Sequence, residues 1–428
     1  MSRIALLGAL IYLIILSGIG TLNGALLGLA LPLILYLLAG LWRAPEELKL
    51  TAERTLSIER TVPGETITIN LKVTNQGERL DQVLLYDQLP KFLEVIEGSA
   101  SRFVNLPAGA SVEWSYTVRG RRGFHAFSDL NVLAEDKLGL IQKRAALHTR
   151  GQLLILPSIA SVKRIVIRPR QTRVYSGVIP ANEGGAGIEF FGLREYQMGD
   201  SPQRINWNAS ARHQGTIFTN EFQQERVADV GIILDGRRKV NEFGGERSIF
   251  EHSVLASVAV SSALLAEGNH VGLLVYGRRI KWTTPGYGKR QRERIMQDLA
   301  LAETGAIQNF DSLIIPRRIL PANSQIILIS PLLASDVPLL VSLRLSGYQV
   351  MVISPDPVTF EARGLGDRDS VKLAARIARI EREIVLRRLR HASIQVVNWN
   401  TALPFEQAAR ATMSRPSTFL RAIQQGRL

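Results

Sequence analysis

Residues 4–19 and 25–42 are almost wholly apolar and are separated by Thr21-Leu22-Asn23-Gly24. A bilayer core about 30 Å thick is crossed by roughly 20 helical residues, so each stretch with its flanks is long enough to span. The pair predicts a transmembrane helical hairpin over residues 1–43. Its only charges are Arg3 and Arg43, one outside each end, and the turn carries none. Basic residues stay on the cytoplasmic side, which predicts a multi-pass protein of the inner or plasma membrane with its soluble part and both termini in the cytoplasm. Tyr36 and Trp42 lie near the exit, where interfacial aromatics are common. A second apolar span and the lack of a small-residue cleavage site argue against a removed secretory signal.

Over residues 44–157 the pattern changes to a period of two. Thr66-Ile67-Thr68-Ile69-Asn70-Leu71-Lys72-Val73 and Val112-Glu113-Trp114-Ser115-Tyr116-Thr117-Val118 each place alternate residues on one face, as half-buried strands do. Turns at Pro63-Gly64, Asn75-Gln76-Gly77 and Pro107-Ala108-Gly109 separate such strands. An immunoglobulin-like β-sandwich without the buried cysteine pair is expected, serving as a rigid spacer or a docking surface. Residues 227–428 read differently again. Apolar runs at 230–234, 271–276, 325–330, 349–354 and 394–397, with a further strand at 280–284, alternate with helices near 247–267, 290–301, 335–345 and 370–391. Continuous apolar strands divided by helices predict a doubly wound α/β domain with a parallel sheet. Ligands of such sheets lie beyond the carboxyl ends of the strands, which points to Asp235 and the residues just after it.

The chain has 428 residues and no cysteine, which removes disulfide scaffolds, thiolate zinc sites and cysteine catalysis. The net charge is +14. An anionic inner leaflet accounts for that excess. No helix-turn-helix, finger or aromatic ribonucleoprotein motif accompanies it, so nucleic acid is not an expected partner.

Residues 158–226 form a signature segment expected to pack on the α/β domain. It interleaves glycines, aromatics and charges: Glu189, Gly192, Arg194, Glu195, Tyr196, Gly199, Asp200, Arg204, Asn206, Trp207 and Arg212. Asp200 or Ser201 is placed to cap a helix opening at Pro202, which would set Arg204, Trp207 and Ala211 along one stripe. Opposite charges this close in sequence predict a buried or half-buried ionic network. An alternative reading makes the cluster an active site with Glu189, Glu195 and Asp200 as acid and base. Arginines beside carboxylates disfavour it, because they hold them ionised.

The string from Gly187 to Arg212, with Glu221 and Glu225 beyond it, resembles the signature of a membrane-anchored prokaryotic family known as a domain of unknown function (number fifty-eight). Arg122-Gly123 and Asp136-Lys137-Leu138-Gly139-Leu140 extend the resemblance through the strand-rich module. It implies a von Willebrand factor A-like C-terminal domain and an adaptor found beside MoxR-type AAA+ ATPases, with no enzymatic reaction assigned. Such domains commonly hold Mg²⁺ or Mn²⁺ through an Asp-x-Ser-x-Ser loop with a Thr and an Asp from two further loops. Here the loop reads Asp235-Gly236-Arg237-Arg238-Lys239, keeping the carboxylate and replacing both serines by cations. Gln308-Asn309-Phe310-Asp311-Ser312-Leu313 and Ser330-Pro331 depart from the other two loops, although Asp311 and Ser312 still offer oxygens. One inward arginine opposes a divalent ion at 4 Å by about 8 kcal/mol at an effective dielectric of 20. No metal and no cofactor are therefore expected, with Arg237 or Lys239 neutralising Asp235. An exposed guanidinium in this loop would capture a partner's carboxylate directly, making Asp235, Arg237, Arg238 and Lys239 the expected partner-binding loop.

Other motifs carry less. Gly286-Tyr287-Gly288-Lys289-Arg290 lacks the spacing of a phosphate loop, and Asn182-Glu183-Gly184-Gly185-Ala186-Gly187 lacks the strand-to-helix setting. Neither a His-Glu-x-x-His nor a Gly-x-Ser-x-Gly occurs, so hydrolases and a small-molecule substrate have no support. The helix bearing Arg376, Arg379, Arg382, Arg387, Arg388 and Arg390 also carries Glu381 and Glu383, as a solvated face or a contact surface would. The reading as a whole is an adaptor acting with a cytosolic MoxR-type ATPase or its client.

Overall fold

The structure is a computed structural model describing residues 3–42, 48–135, 142–158, 173–213, 215–241, 248–306, 310, 313, 315–322, 324–366 and 368–413, with side chains at all of these except 41–42, 173–191, 222–226 and 410–413. The chain divides into two compact units, Met1–Leu156 and Pro157–Leu428.

The first unit opens with α1 (Arg3–Gly20) and α2 (Gly24–Trp42), packed against each other. Asn23 accepts from the Ala25 amide at 3.0 Å and starts the second helix. Gly18 permits the close approach, since a Cβ there would lie 2.9 Å from Leu27 Cδ2. Leu6, Leu10, Leu13, Leu16, Leu31 and Leu35 remain exposed, so the pair shows an apolar surface. α1 is long and apolar enough to cross a membrane, whereas the apolar stretch Gly24–Gly40 is shorter.

Eleven strands come next among the described residues: β1 (Leu50–Leu56), β2 (Arg60–Thr61), β3 (Ile67–Asn75), β4 (Leu80–Asp87), β5 (Leu93–Gly98), β6 (Ser101–Leu106), β7 (Ser111–Gly120), β8 (Gly123–Ala126), β9 (Leu130–Glu135), β10 (Gln142–Leu147) and β11 (Gln152–Ile155). They build two four-stranded antiparallel sheets, ordered β1-β3-β7-β5 and β10-β9-β4-β6, and a three-stranded sheet β2-β11-β8. Alternation explains the core. Ile67, Ile69, Leu71 and Val73 of β3, with Trp114, Tyr116 and Val118 of β7, share one cluster with Val83 and Leu85 of β4 and Leu130, Val132 and Ala134 of β9. Inside it lies a buried ion pair: Arg54 Nη2 and Nε donate to Asp87 Oδ1 and Oδ2 at 2.5 and 3.1 Å. The Tyr116 hydroxyl donates to Asp87 Oδ2 at 2.6 Å, and burial with that bond pushes its pKa up. Arg54 on β1 thereby ties one sheet to Asp87 on β4 of the other.

The second unit begins with β12 (Arg173–Glu195) and β13 (Phe218–Val227), an antiparallel pair with several register shifts, between which lies the one-turn helix α3 (Trp207–Ser210). Then come β14 (Asp229–Asp235), α4 (Ile249–Ala266), β15 (His270–Tyr276), β16 (Ile280–Gly286), α5 (Gly288–Ala300), β17 (Gln325–Ile329), α6 (Val337–Leu345), β18 (Gln349–Pro355), α7 (Pro357–Ala362), α8 (Asp369–His391), β19 (Gln395–Trp399) and α9 (Phe405–Met413). The six-stranded sheet runs β16-β15-β14-β17-β18-β19, parallel except for β16. The expected wholly parallel sheet is thus corrected to a mixed one. Only 277–279 connect β15 to β16, too few residues for a parallel crossover.

Both faces of this sheet are covered, which is why its strands read as unbroken apolar runs. Ile233, Ile326, Leu328, Val350 and Val352 pack with Leu340 and Leu343 of α6 and with Leu386 and Leu389 of α8. Ile232, Leu234, Ile327, Ile329, Met351 and Ile353, of the opposite parity, are equally buried on the side met by α4. α4 has the length and hydropathy of a membrane span, yet 72% of it is buried in this core.

Candidate functional site

β15 lies on one side of β14 and β17 on the other, so the strand order reverses between β14 and β17. In open α/β sheets the crevice beyond the strand ends at such a reversal is where ligands bind. Here it contains side chains of the protein itself. Asp235 ends β14, and the loop after it is held by three backbone hydrogen bonds, Gly236 N to Tyr276 O, Gly305 N to Gly236 O and Arg238 N to Gly305 O, at 2.7–2.8 Å. The loops at 236, 277 and 303–305 cross so closely that a Cβ on Gly236 would stand 2.9 Å from Gly277 Cα, and one on Gly277 2.3 Å from Glu303 O. This weave turns the Arg237 side chain back over the strand end.

The Arg237 guanidinium clasps two carboxylates. Nε and Nη2 donate to Asp235 Oδ1 and Oδ2 at 2.9 and 2.8 Å, while Nη1 and Nη2 donate to Asp336 Oδ1 and Oδ2 at 2.9 and 2.7 Å. The Arg237 amide adds a 3.0 Å bond to Asp235 Oδ1, and Ser330 at the end of β17 donates to Oδ2 at 2.6 Å. Asp336 also accepts from the Leu333 amide at 2.8 Å. Phe310 closes the cluster, with Arg237 Cζ 3.7 Å from its ring centroid. Both ion-paired side chains of the loop, Asp235 and Arg237, are fully enclosed.

Two carboxylates surround one guanidinium, so the cluster carries an uncompensated negative charge when both are ionised. Burial pushes the Asp235 carboxyl above its ordinary range, against the hydrogen bonds and charge of Arg237 and the Ser330 hydroxyl. Burial also opposes the charge on Arg237, but its bonds to Asp235 and Asp336 outweigh that and raise its pKa above the ordinary arginine value. Among the described residues the cluster does not fit a resident divalent ion, because the carboxylate oxygens are taken by fixed donors, the Arg237 guanidinium of like charge among them. The expectation of an exposed Arg237 guanidinium receiving a partner's carboxylate is corrected here: its donors are spent internally. Asp235 is equally inaccessible. Arg238 and Lys239, on the 3₁₀ turn Arg238–Val240, are exposed, as are Arg278 and Arg279 on the adjoining loop. The loop therefore has an internal half and a solvent-facing basic half.

Asp336 escaped the sequence reading. It lies 99 residues from Arg237 in a 3₁₀ turn, and only the strand order brings it to the cluster. Asp311 and Ser312, considered as oxygen donors, lie outside the described residues.

The signature segment forms a second polar cluster, half-buried at most. Arg194 Nη2 donates to Asp200 Oδ1 at 2.6 Å, and its Nε lies 3.7 Å from Glu221 Oε1. The Gln197 amide donates to Asp200 Oδ2 at 2.9 Å, and the Tyr196 hydroxyl to the Asp200 carbonyl at 3.1 Å. The bond from Arg194, with that from Gln197, holds the Asp200 carboxyl below its ordinary range. This also corrects the expected helix at Pro202. With Asp200 engaged and Ser201 making no cap, residues 202–204 form a single 3₁₀ turn, Ile205 and Asn206 are extended, and α3 starts anew. Asn206 caps α3 by accepting from the Ala209 amide at 2.9 Å, and its Nδ2 donates to Asn220 Oδ1 at 2.8 Å. The stripe of Arg204, Trp207 and Ala211 is not made, and Trp207 is 67% exposed. Glu195, Gly199, Arg204 and Arg212 are at the surface or near it, with Gly192 half-buried. The side chains of Glu189 and Glu225 and residues 136–140 lie outside what is described.

Residues 192–355, spanning both clusters, match the family described as "Protein of unknown function DUF58". The chain is also similar to the uncharacterized protein YeaD of Bacillus subtilis (strain 168), at 26% identity over 247 residues. That match covers 57% of this chain and 59% of YeaD, so the chain spans less than two thirds of its relative's length. Among solved structures it is similar to the cupredoxin domain of amoB from Nitrosocaldus yellowstonii, at 9% identity and a TM-score of 0.20, over 26% of this chain and 90% of that one. A FixG-related protein from Vibrio parahaemolyticus has 9% identity and a TM-score of 0.18, over 25% and 96%. At these scores the two structures bear on neither fold nor function.

Proposed function

We propose that the chain is a membrane-tethered protein–protein interaction adaptor of the inner or plasma membrane, with its soluble part and both termini in the cytoplasm. In this reading α1 and α2 are the tether, the two-sheet region is an immunoglobulin-like spacer, and the C-terminal sheet is a metal-independent von Willebrand factor A-like domain. Its strand-end rim faces a cytosolic MoxR-type AAA+ ATPase or that enzyme's client. The single observation carrying the proposal is the filling of the strand-end crevice by Arg237, which leaves Arg238, Lys239 and Arg279 as exposed cations around a pre-formed rim, with Arg278 paired to Glu303 beside them. Cations fixed on such a rim recognise carboxylates and steer their approach.

The test is co-purification of the detergent-solubilised full chain with a co-expressed MoxR-type ATPase. Arg238→Glu combined with Lys239→Glu is expected to weaken capture at least about tenfold while the melting temperature stays unchanged. Unaltered capture, or no capture by the native chain, would overturn the proposal.

A further inference from the structure

Two attachments join the helical hairpin to the two-sheet region, and both arrive at one end of it. α2 stops at Trp42 and β1 starts at Leu50, and residues 43–49 between them reach at most about 25 Å. The second attachment is a contact in space: Arg3, at the start of α1, has Nη1 3.8 Å from Glu135 Oε1 at the end of β9. These two points share one end of the strands. Glu135 is opposite Gln82 near the start of β4, Leu80 of β4 is opposite Leu106 of β6, and Leu50 is opposite Asn75. Asn75 joins the two sheets there, since its Nδ2 donates to the carbonyls of Leu106 and Pro107 at 3.1 and 3.2 Å. Both open ends of the hairpin therefore lie at this end, with the turn Thr21-Leu22-Asn23 at the opposite end of the helices.

Asn75 also makes this end a fixed platform. It is 1% exposed. Its Nδ2 donates to the Glu78 carbonyl at 2.6 Å and its Oδ1 accepts from the Gly77 amide at 2.9 Å, while its backbone bonds the Gly109 amide and the Ala110 carbonyl, each at 2.9 Å. One buried residue thus fastens the turns at 76–79 and 107–109 and leaves Gln76, Glu78, Arg79, Pro107, Ala108 and Gly109 at the surface. Glu78 and Arg79 carry opposite charge, so the platform meets zwitterionic and anionic surfaces alike. We infer that this platform rests on the phospholipid headgroup layer of the bilayer that α1 and α2 span, an inference that depends on the tether reading above. In that reading helices of 18 and 19 residues, rising about 1.5 Å per residue, cross a hydrocarbon core of about 30 Å with both open ends at the same leaflet. A chain link alone would let the two-sheet region swing. An exposed ion pair is weak by itself, but the link keeps Arg3 and Glu135 at high effective concentration, which favours their pairing. β7 has 10 residues, so the other end of the sheets, with the turn at Lys91, stands about 30 Å above the headgroups.

The test places the full chain in phosphatidylcholine vesicles with a fluorophore on a single introduced cysteine, which the absence of native cysteine makes direct. Gln76→Cys and Ala108→Cys label the platform, Lys91→Cys the far end and Leu13→Cys the middle of α1. All four side chains are exposed, so unchanged melting is the control for folding. A quencher carried on lipid headgroups is expected to extinguish the labels at 76 and 108 and to leave the one at 91 bright, while an acyl-chain quencher extinguishes the label at 13. Adding Glu135→Arg, which sets two arginines against each other, should reduce quenching at 76 and 108 and leave that at 13 unchanged. Equal quenching at 76, 108 and 91 with the label at 13 extinguished would overturn the inference and leave the tether standing. Unaltered quenching in Glu135→Arg would also overturn it, because the second attachment would then do nothing. Platform quenching that appears only when phosphatidylglycerol is added would overturn it as well, assigning the approach to the net charge of +14. A bright label at 13 would overturn the tether reading and this inference with it.

Discussion

Two buried arginines anchor the two units of this chain, and they differ in stoichiometry. Arg54 meets one carboxylate, Asp87, with Tyr116 as a neutral third member. Arg237 meets two, Asp235 and Asp336. The first is balanced and lies between sheets. The second holds an excess of negative charge when both carboxyls are ionised, and lies at the strand-order reversal, where other proteins of this architecture keep room for a ligand. The first cluster is a balanced staple between sheets, whereas the second fills the strand-end crevice with side chains.

That contrast can be broken most severely at Arg237. Arg237→Glu would leave three buried carboxylates together, and removing one partner of a buried pair alone costs about 3–5 kcal/mol. The loss is comparable with a whole domain's stability of about 5–15 kcal/mol, so the C-terminal unit is expected to unfold, as limited proteolysis and circular dichroism would report. A charge reversal there tests folding, and partner capture must be tested at Arg238 and Lys239.

The sharper comparison removes one carboxylate from each cluster. Asp87→Asn strands Arg54 and is expected to cost about 3–5 kcal/mol, whereas Asp336→Asn leaves Arg237 balanced by Asp235 and should cost about 1–2 kcal/mol for weakened hydrogen bonds. Chemical denaturation of the two variants measures the difference, and equal losses would erase the distinction drawn from stoichiometry. The smallest effect belongs to the half-buried Asp200. Its depressed pKa adds stability that is present above the ordinary carboxylate range and lost as pH falls through the folded value. Arg194→Gln should move the Asp200 midpoint upward in an NMR titration and remove this small contribution near neutral pH, leaving stability at acid pH unchanged.

Much of the architecture could be read from pattern alone, because burial on both faces writes an unbroken apolar run into β14, β17 and β18, while one-sided burial writes alternation into β3 and β7. Asp235 was legible because strand-end chemistry follows from sheet order. Arg237 neutralising Asp235 was one of the two expected pairings, but its complete enclosure was not legible. Three consecutive cations read as exposed, and only the glycine crossing at 236, 277 and 305 folds the first of them inward. Pro202 misled for a local reason: the carboxylate suited to cap a helix there was already claimed by Arg194 and the Gln197 amide. Asp336 had no local signal at all.

The crossover that carries the chain from one flank of β14 to the other has a kinetic meaning. One guanidinium joins groups 99 residues apart, and closing so long a loop gives no reward until every intervening element has docked. The clasp is therefore expected to form late, absent from the rate-limiting ensemble, and so to govern how slowly the native state comes apart rather than how quickly it assembles.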